Sequence, residues 1–151
     1  RSRKKKINKF NNKRNKFDIK FQVKDLSTVK RFKKSNLFIS ILLFPFLNLT
    51  ERRSLLKKIY SALDEGGALI CVEKIRSHDP MFEDILNQMY FDYKTSKNLS
   101  EKEILEKARS LRSSMHLFDE KISFKLLNEI GFMRYETFFK CFNFIGYVAI
   151  K

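Results

Sequence analysis

The pair with the clearest chemical potential in this chain is Glu73-Lys74, an acid beside a base at the end of the apolar run Ala68–Val72. Open α/β sheets bind ligands just beyond the carboxyl ends of their strands, so this pair stands where a site would form. The favoured reading of the two residues is nonetheless a local structural role, with a surface ion pair as its plainest form. The other reactive side chains are scattered. Cys71 and Cys141 lie in apolar stretches without CxxC spacing, and His78 and His116 have no ligand-spaced partner. Buried free thiols in a reducing compartment are expected, and no metal centre. The only glycines are Gly66, Gly67, Gly131 and Gly146, so no GxG loop exists anywhere in the 151 residues to cradle a nucleotide cofactor.

The elements that would position Glu73-Lys74 can be read from periodicity. Phe17, Ile19, Phe21 and Val23 alternate with Asp18, Lys20, Gln22 and Lys24, the period of a half-buried strand. Asn36–Phe44 is a strand apolar on both faces, closed by Pro45. Thr50 is expected as the N-cap of a helix with Glu51 in its first turn. Leu55, Leu56, Ile59, Tyr60 and Leu63 then form one apolar face, and Gly66-Gly67 stops the helix. Residues 68–74 make a strand buried on both faces, the mark of a parallel sheet.

Asp79–Tyr93 has helical spacing, and Ser100 with Glu103 makes a capping box for the next helix, whose apolar side is Ile104, Leu105, Ala108 and Leu111. Ser123–Ile130 is a helix ended by Gly131. Arg134–Phe142 and Phe144–Ile150 are antiparallel strands joined at Asn143-Phe144. The order β, β, α, β, α, α, α, β, β is that of a doubly wound α/β fold without its first strands.

The net charge of +15 is unevenly spread. Residues 1–35 carry fifteen Lys/Arg against two acids, whereas residues 36–151 carry seventeen against fifteen. Basicity therefore belongs to the leader, in which Lys4–Lys13 has the spacing of a thin basic helix. Either that leader touches RNA, or it is a solvated, Lys/Asn-rich segment. Leu37–Leu47 is apolar but too short to cross a bilayer, which favours a core strand and no membrane association.

The stretches Thr50-Glu51-Arg52, Leu55–Tyr60, Gly66-Gly67-Ala68-Leu69, Glu73-Lys74, Asp92-Tyr93-Lys94, Leu99-Ser100, Glu103-Ile104 and Cys141-Phe142-Asn143-Phe144 resemble the carboxy-S-adenosyl-L-methionine synthases, formerly called tRNA (cmo5U34)-methyltransferases. The likeness runs from about Leu37 to Lys151. It implies an α/β, Rossmann-like class I methyltransferase fold truncated at its N-terminus, with the first two strands and the glycine-rich loop absent. The expected division is residues 1–35, a basic leader with a remnant of the third strand, and residues 36–151, the C-terminal part of the methyltransferase-like domain. The family's reaction joins S-adenosyl-L-methionine and prephenate to give carboxy-S-adenosylmethionine and phenylpyruvate. The product serves wobble-uridine modification of tRNA through a partner enzyme.

The resemblance further implies a cytoplasmic homodimer with indirect dependence on tRNA, and inactivity of the truncated chain by itself. The alternative is a non-catalytic half-domain that binds tRNA or a protein partner. Asp25-Leu26 falls where the family accepts the adenine amino group and packs the adenine ring; the bland reading is an Asp that ends a strand. Ile41 replaces a family Asn and cannot supply its hydrogen bond. The family's carboxylate-binding Arg aligns with Ala108, so Arg109 takes that role only with a one-residue shift, about 100° of helix rotation.

Overall fold

The structure is a computed structural model and describes residues 20–151. The chain divides into two compact units, Arg1–Lys30 and Arg31–Lys151. In the first, Leu26–Thr28 forms a 3₁₀ turn. Residues 20–24 are exposed and form no strand, a correction to the alternation read there. Among the described residues no strand pairs with them, and a period of two without a partner does not make a sheet. The readings for Lys4–Lys13 and for Phe17–Ile19 lie outside the described residues.

The second unit runs β1 (Ser35–Ile41), α1 (Leu49–Ala62), β2 (Leu63–Lys74), α2 (Pro80–Ser96), α3 (Glu101–Leu111), α4 (Glu120–Ile130), β3 (Arg134–Cys141) and β4 (Phe144–Ile150). Its sheet has the order β1-β2-β4-β3. The β1–β2 pair is parallel, with Ile39 opposite Ile70, and the β2–β4 and β3–β4 pairs are antiparallel. The parallel pair is connected through α1, as a βαβ unit requires. No helix of the described residues is long and apolar enough to cross a membrane.

Several boundaries differ from the sequence reading. The helix read from Ser123 already begins at Glu120, capped by Asp119, the helix read as Asp79–Tyr93 runs Pro80–Ser96, and β3 ends at Cys141 rather than Phe142. Three more concern α1 and the strands beside it. The N-cap of α1 is Asn48, not Thr50: the Asn48 side chain accepts from the Glu51 N–H and Glu51 accepts from the Asn48 N–H. The helix ends at Ala62, where Leu63 is already extended, so the glycines belong to the entry of β2 rather than to a helix cap. Both are nonetheless required. Gly66 has φ +75°, and a Cβ on Gly67 would stand 2.9 Å from the Asn36 carbonyl oxygen on the neighbouring strand. Finally, β1 stops at Ile41 because Leu42 turns to φ 54°, and Phe44–Phe46 is a 3₁₀ turn containing Pro45.

Alternation sorts β2 into two faces. Leu69, Cys71 and Glu73 are fully buried, and with Tyr147 of β4 they lie on the face that meets α1 and α4. The opposite face carries Leu37, Ile39 and Ile41 from β1, which are 48%, 60% and 66% exposed. Beside them stand the half-buried Ile70, Val72 and Val148. Among the described residues no helix buries Leu37, Ile39 and Ile41 on that face.

Candidate binding groove

At the carboxyl ends of β1 and β2 a groove of about 740 Å³ opens between the strand tips, the Leu42–Phe46 turn, α2, α3 and the segment that follows α3. Its charged lining is Lys74, Arg76, Lys94, Lys107 and Arg112 against one acid, Glu103. Tyr90, Phe144, Leu99, Ile104, Leu111 and Leu117 supply its apolar walls. An excess of cations over an apolar lining favours an organic anion.

Period two sends Glu73 and Lys74 to opposite faces. Glu73 is 0% exposed and pairs with Arg52 Nη1 at 2.8 Å. Its other oxygen accepts from Ser123 Oγ and the Tyr147 hydroxyl. Arg52 also donates to the Leu47 and His116 carbonyls and lies over the Phe118 ring, 4.7 Å from its centroid. The His116 N–H in turn donates to the Pro45 carbonyl, and the Arg76 N–H to the Phe118 carbonyl. This buried network therefore fixes the 115–118 segment that walls the groove. Within it, burial and then the charge of Glu73 push the Cys71 thiol up to about 12. Burial likewise pushes the Tyr147 hydroxyl well above its ordinary range.

Lys74 points to the groove. Its ammonium lies 6.0 Å from the Tyr90 ring centroid, and that of Lys94 lies 4.0 Å from the same ring. Burial lowers both lysines, Glu83 partly offsetting this at Lys74 and the charge of Lys74 adding to it at Lys94. The Tyr90 hydroxyl is raised, by burial first and then by Tyr93.

Asp25 and Leu26 lie in the first unit, where the Asp25 carbonyl accepts from the N–H and hydroxyl of Thr28 and Leu26 begins the 3₁₀ turn. Ile41 is exposed at the end of β1; its neighbour Leu42 lines the groove. Arg109 is exposed on α3 and does not line the groove, whereas Ala108 and Arg112 do. Residues 108 and 112 are one turn apart on one helix face, so Arg112 is a groove cation that the sequence reading missed. The spacing Ile104, Ala108, Leu111, Arg112 was the available signal. Among the described residues no three His, Cys, Asp or Glu side chains gather as a metal site. Cys71 is a buried thiol as expected, but Cys141 is exposed, because it ends the edge strand β3 beside the hairpin turn.

The hairpin turn Phe142-Asn143 is the other part of the site. Phe142 has φ 49° and its ring packs on Tyr90 and Tyr93, while Phe144 packs on Tyr90. Asn143, 2% exposed, donates to Asn87 and Glu83 of α2, and its carbonyl accepts from the Ile75 N–H. The Cys-Phe-Asn-Phe sequence thus clamps α2 over the end of β2.

No family model matches the chain. Among curated proteins it is 33% identical over 134 residues to the carboxy-S-adenosyl-L-methionine synthase of Staphylococcus epidermidis, covering 89% of the chain and 58% of the relative. The Helicobacter pylori protein of the same name is 33% identical over 146 residues, 97% of the chain and 57% of the relative. The one from Escherichia fergusonii is 40% identical over 107 residues, 70% and 43% respectively. The chain is a homologue of the carboxy-S-adenosyl-L-methionine synthases. It spans about half the length of the synthases it matches.

Solved structures agree on the fold. Human N-acetylserotonin methyltransferase in complex with SAM superposes with a TM-score of 0.59 at 17% identity, over 89% of this chain and 34% of that one. The S-adenosylmethionine-dependent methyltransferase SibL in its apo form gives 0.63 at 13% identity, over 98% and 39%. The synthase homologue thus has the class I methyltransferase α/β fold, with the matched part amounting to a minority of each neighbour.

Proposed function

We propose that this chain is the C-terminal portion of a carboxy-S-adenosyl-L-methionine synthase and that its groove receives the carboxylate-bearing partner of S-adenosyl-L-methionine. The observation that carries the reading is the homology at 33–40% identity to synthases of that name. The cationic groove at the carboxyl ends of parallel strands supports it. In the proposed reaction a carboxylate leaves prephenate and becomes bonded to the sulfonium methyl carbon. The ring aromatises to phenylpyruvate, and its hydroxyl departs with the displaced methyl proton as water. Asp25 would accept from the adenine amino group and Leu26 would pack the adenine ring. For the new carboxylate we assign Arg112 in preference to Arg109, because a guanidinium fork in the groove can meet both oxygens. Ile41 contributes only apolar contact.

The 151 residues hold no GxG loop, so we infer that they do not turn over alone. We extend the reading to a cytoplasmic homodimer whose product serves tRNA wobble-uridine modification. The test is a chimera that joins the preceding segment of the Staphylococcus epidermidis synthase to this chain. Mass spectrometry should find carboxy-S-adenosylmethionine when S-adenosylmethionine and prephenate are supplied, and none with the isolated chain. A folded chimera that binds S-adenosylmethionine yet makes no product overturns the proposal.

A further inference from the structure

We propose that Lys74 and Lys94, gathered at the Tyr90 ring, form a carboxylate-binding cradle, whose ligand is an organic acid with an apolar ring seated along the groove. The ring of the acid follows from the synthase reading, whereas the cradle itself follows from geometry. Lys74 reaches it from the end of β2, and Tyr90 and Lys94 from one face of α2 at i and i+4. Both ammoniums sit at the one aromatic ring, 6.0 and 4.0 Å from its centroid.

Two like charges held together on an apolar wall repel unless an anion joins them. Among the described residues neither lysine forms an ion pair with a carboxylate. Glu83, the acid that acts on Lys74, has its oxygens engaged by the Ser77 N–H and the Asn87 and Asn143 side chains. The ring of Tyr90 is itself locked by Phe142 and Phe144. The cations are thus presented on a rigid platform, with Leu99, Ile104 and Leu111 beyond to take an apolar body. The depressed lysines agree with this, since an arriving carboxylate would restore their ordinary values.

The probe is phenylpyruvate, with its methyl ester as the uncharged counterpart, titrated into the whole chain by calorimetry without any cofactor. Phenylpyruvate should bind at least tenfold more tightly than the ester. Lys94→Met and Lys74→Met should each weaken phenylpyruvate binding five- to twentyfold and remove the preference over the ester. Lys94→Arg should retain it. Lys102→Met, on the exposed part of α3 outside the groove, should change nothing, and circular dichroism should show every variant folded. No binding by the native chain, equal affinity for acid and ester, or a preference that survives both Met variants overturns the cradle. If the preference holds while the chimera makes no product, the cradle stands and only the synthase reaction is lost.

Discussion

At the scale of single residues, adjacency in sequence concealed a division of labour. Glu73 and Lys74 are neighbours, yet alternation buries one charge and turns the other to the groove. The strand end was legible from Ala68–Val72; the partner Arg52, 21 positions upstream of Glu73, was not. Long-range pairing of this kind leaves no local pattern. Arg52→Met should leave a buried carboxylate without its cation and cost about 3–5 kcal/mol in urea unfolding, whereas replacing both charges with apolar residues of similar volume should cost much less. Alkali should also expose the network. Cys71 has an ordinary value of 9.0 and a folded value of about 12. Below pH 9 the thiol is protonated in both states and contributes nothing to the pH dependence. Between 9 and 12 the unfolded thiol ionises first, so the unfolded state is favoured by more than about 1 kcal/mol per pH unit. Tyr147, also raised, acts in the same sense above its ordinary value of 10.0, while Lys74 and Lys94, both lowered from 10.5, oppose it. Thermal melts from pH 8 to 11 should therefore fall in midpoint for the native chain, and more shallowly for Cys71→Ala.

At the scale of elements, what local chemistry dictates was readable and what tertiary contact decides was not. Ser100 with Glu103, and Gly131 at φ +119°, cap their helices as their residue types demand. The start of α1 went to Asn48 instead of Thr50 because both residues suit an N-cap and only Asn48 has Glu51 at the reciprocal spacing. Alternation at residues 20–24 failed for the opposite reason: a strand exists only within a sheet, and no strand of the described residues pairs with this segment. The groove was partly readable, since its Lys74 end and the Ala108 position were both singled out. Arg112 was not legible because it reaches the groove from one helical turn beyond Ala108, not from the adjacent position. The hairpin turn yields the element-scale prediction. Asn143→Ala removes the bonds to Asn87 and Glu83, so α2 should lose its clamp at a cost of about 1–3 kcal/mol. Hydrogen exchange should quicken through Pro80–Ser96 while the β2–β4 ladder keeps its protection.

At the scale of the whole molecule, the sheet of the second unit is asymmetric in a way that bears on how the isolated chain behaves. Helices α1 and α4 cover the face of Leu69, Cys71 and Tyr147, and among the described residues β1 is an edge strand with its other side unpaired. The uncovered face brings Leu37, Ile39, Ile41 and Ile150 to the surface, with Phe138 and Phe139 exposed on β3. A contiguous apolar face beside an unpaired parallel edge is a surface that other chains can join. Helices flank both sides of a doubly wound sheet, and the human and SibL methyltransferases that share this fold are each more than twice as long as the part matched here. The isolated 151 residues should accordingly associate as concentration rises, in spite of a net charge of +15 that repels copies. Sedimentation velocity over a tenfold concentration range should show the shift, and added salt should enlarge it by screening that repulsion. Ile39→Lys, at a position already 60% exposed, should leave thermal stability within about 0.5 kcal/mol and keep the chain monomeric. Leu69→Ala, on the covered face, should do the reverse, costing about 2–5 kcal/mol without blocking association of the folded fraction. A native chain that stays monomeric at every concentration and salt would show that the face is closed to other chains.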